Sequence, residues 1–367
     1  MRMLWMIGVL ALASLGEAGR IGTTAGTGER GYAGDRGPAI NAKLDQPFHL
    51  DTDPVGTLYI AEAGNHTIRM IEPRTGDIFT IAGTGKKGYS GDGGPGTKAT
   101  FNEPYAVVGT AGGDLYIADR LNAAVRKVDG GNAHVVATVA GTGKKGYSGD
   151  GGPGKDAQLV EPNDVCVDGK GGLLIADVGD WRIRRLDLKT GIITTFAGSG
   201  RPAKAGKGFP RDQIGDGGPA TKAVVVGARA VCTDRQGNTF ICEREGSRIR
   251  KVDKDGIITT IAGTGEWGYA GDGGPAIKAV FRGPKGLRDD SGGNLYVVDT
   301  ENHAIRKIDA KTGIVATVAG GRKGAGGDGG RATDAGLDRP HGCVVGRGIL
   351  YIADSENHRV RMMKLEK

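Results

Sequence analysis

The stretch Tyr105–Ala140, YAVVGTAGGDLYIADRLNAAVRKVDGGNAHVVATVA, decides the fold. It holds four short apolar runs: Tyr105–Val108, Leu115–Ala118, Ala124–Val128 and Val135–Ala140. Turn clusters at Gly109–Asp114 and Asp129–Asn132 punctuate them. Val, Ile and Tyr favour strands, and Gly with Asn or Asp favours the tight turns between them. Four short antiparallel strands of this kind make one propeller blade. The runs lack clean apolar–polar alternation, as expected of a sheet whose two faces are both covered by neighbouring blades.

The central phrase recurs along the chain. An apolar strand ends in an acid, a short loop follows, and then comes an Ile/Val-Arg strand. The copies start at residues 58, 115, 173, 239, 295 and 350, spaced 55–58 residues apart except for one interval of 66. Six copies at a near-constant period mean six structural units. The sixth copy reaches Lys367 without a fourth strand, while Ile21–Gly28 (IGTTAGTG) matches Ile78–Gly85 (IFTIAGTG). The N-terminal segment is therefore expected to complete the last blade and close the ring, which removes open sheet edges. The 69 glycines, well above the usual share of about 7%, serve the turns of such a repeat.

The loops after the second strands hold Asn65-His66, Asn302-His303 and Asn357-His358, each followed by Ile/Val-Arg. This pattern resembles the NHL repeat, and the resemblance runs over residues 21–367. The remaining copies depart from it, with Asn122-Ala123, Asp180-Trp181 and Gly246-Ser247. The resemblance implies an all-β, six-bladed propeller with four-stranded antiparallel blades. The family includes RNA-binding propellers, extracellular protein-binding propellers and a peptide-amidating lyase, so it does not by itself choose a function.

A feature present in every blade is expected to hold blades together, because one site does not need six copies. The acids Glu62, Asp119, Asp177, Glu243, Asp299 and Asp354 recur with Arg69, Arg126, Arg184, Arg250, Arg306 and Arg361. Each arginine lies mid-strand, where burial demands a partner, and a bidentate carboxylate contact fits. The loops after the fourth strands repeat Asp35, Asp92, Asp150, Asp216, Asp272 and Asp328, most followed by Gly-x-Pro. These aspartates are expected to cap backbone amides, and the prolines to open one- or two-turn helices. Their Gly-Asp-Gly-Gly phrase lacks the clustered oxygen side chains of a calcium cage and the Gly-Lys-Ser/Thr of a phosphate loop.

What varies on a symmetric scaffold is where singular chemistry is expected. The first residues of the innermost strands ring the channel mouth: Phe48, Tyr105, Asn163, Arg229, Lys285 and His341. No two are alike. The next position adds His49 and Asp164 where most blades have Ala or Gly. Arg229 suits a carboxylate or phosphate, and Phe48 and Tyr105 suit stacking on a sugar or apolar group. The loop between blades 3 and 4 is longer than the others and carries Lys204, Lys207, Phe209, Pro210 and Arg211, a candidate lid or partner contact. Trp181 reads as an exposed aromatic candidate on the same face.

Residues 1–18 read as a secretory signal peptide: Arg2, an apolar stretch Leu4–Leu15, and small residues around a cleavage point after Ala18. The apolar stretch is shorter than the roughly 20 residues a membrane span needs. The expectation is a secreted protein, extracellular or periplasmic, whose single propeller domain covers 19–367. The four cysteines, Cys166, Cys232, Cys242 and Cys343, form no close-spaced metal pattern. Buried free thiols are expected, and an oxidising compartment keeps three disulfide connectivities open.

Two functions compete. The first is a binding module for an extracellular protein, anionic glycan or small molecule, with no cofactor, no nucleic acid and no membrane span. The net charge of +7 is spread along the chain and forms no basic stripe with stacking aromatics. The second is a metal-assisted lactonase or lyase using Ca or Zn, with His341 or His49 as base and Tyr105 as acid. Only Asn163 and Asp164 are adjacent oxygen ligands, which favours binding over catalysis.

Overall fold

The computed structural model describes residues 18–131, 134–200 and 210–366. Six four-stranded antiparallel blades form in chain order, blade 1 gaining a short outer strand Gly37–Pro38. Blade 2 is Pro104–Gly109, Leu115–Asp119, Ala124–Val128 and Val136–Ala140, as its sequence predicts. The innermost strands of the other blades are Pro47–Thr52, Pro162–Val167, Ala228–Thr233, Gly286–Asp289 and Gly342–Gly346.

The ring closes as expected. Ile21–Ala25 pairs with Arg359–Lys364 of blade 6, with Ile21 opposite Met363 and Thr23 opposite Arg361. The expected signal peptide falls, but for Ala18, outside the described residues, as do Lys204, Lys207 and Phe209 of the long loop.

Each blade interface has its own apolar core. Ile68, Phe101, Val107 and Ile117 join blades 1 and 2, and Ile21, Val298, Leu337 and Ile352 join blades 5 and 6. Burial on both faces explains the unbroken Val and Ile runs. The loops entering each blade end in a single 3-10 turn, such as Gly96–Lys98 after Pro95, so the shorter of the two expected helix lengths is found. The alanine that follows is buried in every copy, from Ala42 to Ala335. At Gly91 (φ +99) a Cβ would lie 2.6 Å from the Cα of Ala99, so the turn needs glycine.

The six mid-strand arginines are fully buried or nearly so. Each pairs with the aspartate of the loop entering its blade, at 2.5–2.8 Å. Five also reach the acid that ends the second strand, at 2.9–3.7 Å. Arg184 instead donates to the carbonyls of Gln158 and Ser148. This corrects the expectation that the loop aspartates serve mainly as amide caps. Their chief partner lies 33 or 34 residues further on, although Asp92 also accepts from the amide of Thr138. In four blades a tyrosine ring lies on the guanidinium, as Tyr89 does 5.1 Å from Arg126.

The Asn-His pairs are structural as well. Asn65, Asn122, Asn302 and Asn357 each donate to the second-strand acid and to a loop carbonyl. His66, His303 and His358 accept backbone amides of the following blade, from Glu103, Arg339 and Gln46. Their φ of 50–55° is matched by 47–58° at Ala123, Trp181 and Ser247, so the left-handed corner persists where the histidine is lost.

All four cysteines are free, and three are buried. Burial pushes the Cys166 and Cys343 thiols up to about 12, so they behave as apolar packing groups.

Removing Arg306 leaves the fully buried Asp299 carboxylate without its partner and frees the half-exposed Asp272. Arg306→Ala is expected to cost about 3–5 kcal/mol in urea unfolding, against less than about 0.5 for the exposed Lys254→Ala.

Candidate functional site

The innermost strands of blades 1 to 4 begin with a bulge. Pro47 pairs with Glu62 and His49 with Ala61, which skips Phe48; Tyr105, Asn163 and Arg229 are skipped likewise. A bulge re-aims the extra residue out of the ladder. These side chains, with Lys285 and His341 just ahead of their strands, converge at the channel mouth. All eight residues singled out from the sequence line one pocket there, joined by Arg288.

The pocket is tightly filled, with about 10 Å³ free, room for one water. The Phe48 ring stacks on His341 at 4.1 Å and meets Tyr105 at 4.8 Å. The guanidinium of Arg229 lies 4.6 Å from the Tyr105 ring centre and donates to its hydroxyl. Phe48 and Tyr105 are both buried, so neither offers a free face for a sugar. Arg229 is partly buried, as is Arg288, while the others are buried.

Lys285 and His341 form the basic half of the floor. The carbonyl of Arg339 accepts from His341 Nδ1–H at 2.8 Å, which leaves a lone pair on Nε2. That atom faces Lys285 Nζ at 3.0 Å. Burial, then Arg229 and Arg339, push the Lys285 amine down to about 7, against the opposing pull of Glu301. Glu301 lies 3.5 Å from Nζ and also holds Arg339 at 2.8 Å. Burial, Lys285 and Arg229 hold His341 well below its ordinary range, so it is neutral.

His49 and Asp164 face the other way. Arg288 clasps Asp164 with two bonds of 2.9 and 3.0 Å. His49 accepts from the Val107 amide through Nδ1 and meets Asp164 through Nε2 at 3.3 Å. Burial opposes the charge of Asp164, but Arg288 and His49 outweigh it and hold its carboxyl well below the usual range. Both carboxylate oxygens are thus engaged, with the Val231 amide as a further donor. His49 and His341 share a pocket but serve different partners. Asn163 donates to the Glu161 carbonyl, and its own oxygen is buried without a partner.

Three features escaped the sequence. Arg288 went unnoticed, although a cation where four other inner strands carry Val108, Cys166, Cys232 and Val344 is a visible signal. The rim pairs of Arg120 with Glu103 and Glu161 were also missed. Trp181, expected to be exposed, is buried against Ile214 and Val226. Its left-handed corner turns the ring under the loop from blade 3 to blade 4. Of the basic residues expected on that loop, Arg211 is described and sits 3.5 Å from Asp216. Among the described residues no three of His, Cys, Asp and Glu come together as metal ligands.

Fold and mouth define a six-bladed, ring-closed propeller with one singular charged pocket. Comparison with known proteins adds the family. A teneurin NHL domain model matches residues 202–269, and an NHL repeat model matches 281–308 and 337–361. NHL repeat-containing protein 2 of Bos taurus is 30% identical over 352 residues, 87% of this chain and 46% of that protein. The chain spans about half the length of the curated relatives of this name that it matches. An auxiliary nutrient binding protein of Bacteroides ovatus shares the fold with TM-score 0.68 at 14% identity, over 96% of this chain and 78% of that one. Virginiamycin B lyase of Staphylococcus aureus does so with TM-score 0.54 at 12% identity, over 88% and 98%. The chain is a six-bladed propeller that carries NHL repeats at residues 281–308 and 337–361.

A lysine whose folded pKa is depressed binds fewer protons than in the unfolded chain. Stability therefore rises as pH climbs from about 7 towards the unfolded value near 10.4. Lys285→Met is expected to raise the unfolding midpoint, and by more at about pH 7 than at about pH 9.5. Equal gains at both pH values would show that Lys285 keeps an ordinary proton affinity.

Proposed function

We propose that this propeller is a binding module whose mouth takes an anionic group, a carboxylate or phosphate borne by a small molecule, a glycan or a partner protein. The supporting observation is the partly buried Arg229 beside Lys285 and His341, with no carboxylate paired to Arg229 among the described residues. An arginine held on an aromatic face presents its remaining donors to an incoming planar anion. The filled pocket favours an anionic end group seated on the mouth over a whole buried ligand. Export, expected from residues 1–18, belongs to this proposal, with an extracellular partner. No cofactor is invoked.

The lyase and lactonase alternative keeps the same mouth but loses its expected ligand. Asp164 is occupied by Arg288. The shared fold of the lyase carries no activity across at 12% identity.

Calorimetric titration with sulfate and with citrate tests the reading. Arg229→Ala is expected to weaken binding by about 1.5–3 kcal/mol, the worth of a charged hydrogen bond. Arg235→Ala, an exposed arginine on a loop between first and second strands, is the control and leaves affinity unchanged. Equal affinity in wild type and Arg229→Ala removes the mouth as the anion site.

A further inference from the structure

The floor of the mouth brings together an amine, a base and a cation, and simple anion binding uses only the last. Lys285 Nζ is buried and touches the lone-pair nitrogen of His341 at 3.0 Å. The Arg339 carbonyl fixes that tautomer. Arg229 stands beside them on Tyr105. A neutral amine next to a proton acceptor is the arrangement that activates lysine as a nucleophile towards carbonyl carbon. Among the described residues Glu301 is the one carboxylate at salt-bridge distance from Nζ, and Arg229, Arg339 and Arg244 are nearby cations.

We infer that Lys285 captures small 2-oxo acids as an imine, with His341 carrying protons and Arg229 holding the carboxylate. The inference rests on the anion reading for the carboxylate contact and goes beyond it in the covalent step. Nζ attacks the carbonyl carbon and the π pair moves to oxygen. His341 Nε2 takes a proton from nitrogen and returns it to that oxygen, giving a carbinolamine. The nitrogen lone pair then forms C=N while His341 relays the second amine proton. The oxygen leaves as water. One C=O bond is exchanged for one C=N bond, both amine protons end in water, and no oxidant or reductant takes part. Arg229 is partly buried whereas Lys285 and His341 are buried, so a carboxylate arriving from solvent meets Arg229 first.

The test uses the full chain incubated with glyoxylate and cyanoborohydride near pH 7, with each lysine peptide quantified over time by mass spectrometry. Lys285 is expected to be modified at least about tenfold faster than exposed Lys254 and Lys311, and the excess to vanish in urea. Acetaldehyde in place of glyoxylate is expected to lose most of that preference, because it has no carboxylate for Arg229. Lys285 modified no faster than the exposed lysines overturns the inference, and equal preference with both aldehydes overturns the oxo-acid assignment. Sulfate titration of the same sample separates the two readings. Binding without trapping refutes the imine alone. Failure of Arg229→Ala to weaken sulfate, with trapping intact, refutes the anion reading and with it the carboxylate contact. His341→Gln is expected to slow trapping, and unchanged trapping contradicts the proton relay.

Discussion

The structure depends on six buried guanidinium groups, each paired with the aspartate of the loop entering its blade. In five blades the second-strand acid and the entering-loop aspartate meet on one arginine. A charge with no access to water must be paired, so the arginine cannot be buried unless the loop comes to it. That requirement fixes the long Gly-rich loops, which otherwise have few apolar side chains to hold them. It also fixes where each innermost strand begins, because the loop runs directly into it. Apolar side chains of equal volume could match such pairs in stability, but they would not specify where a glycine loop lies.

The mouth follows from that placement. Once the loops are anchored, a bulge at the head of the strand in blades 1 to 4, and the residue just ahead of it in blades 5 and 6, puts one residue per blade at the mouth. The scaffold repeats and these residues do not. Cations and aromatics gather on the side of Arg229, Lys285 and His341, while Asp164, Arg288 and His49 close a polar network on the other. The first group holds an amine whose proton affinity burial and nearby cations lower to about 7. The second is satisfied internally, which suits it to tying blades 1, 3 and 5 together across the channel.

The ring was legible because its signals are local and repeated. Strand runs, turn residues and the period of the Arg phrase all point to one fold, and IGTTAGTG reveals the closing strand. The mouth residues were legible because their phase after a proline is the same in most blades. What failed was pairing at a distance. The partner of Asp92 is Arg126, and nothing near Asp92 names it. Arg288 was overlooked because attention to the mouth stopped two positions earlier in the strand. Trp181 was misjudged because the burial of a turn residue is set by the loop that covers it.

An anomalous-scattering crystal structure of the protein soaked in selenate tests the central claim most directly, that repeated residues build the ring and singular ones form the site. The account predicts one strong selenium peak at the mouth, within hydrogen-bond reach of Arg229. Peaks repeated at the loop aspartate–arginine pairs, with none at the mouth, would contradict it.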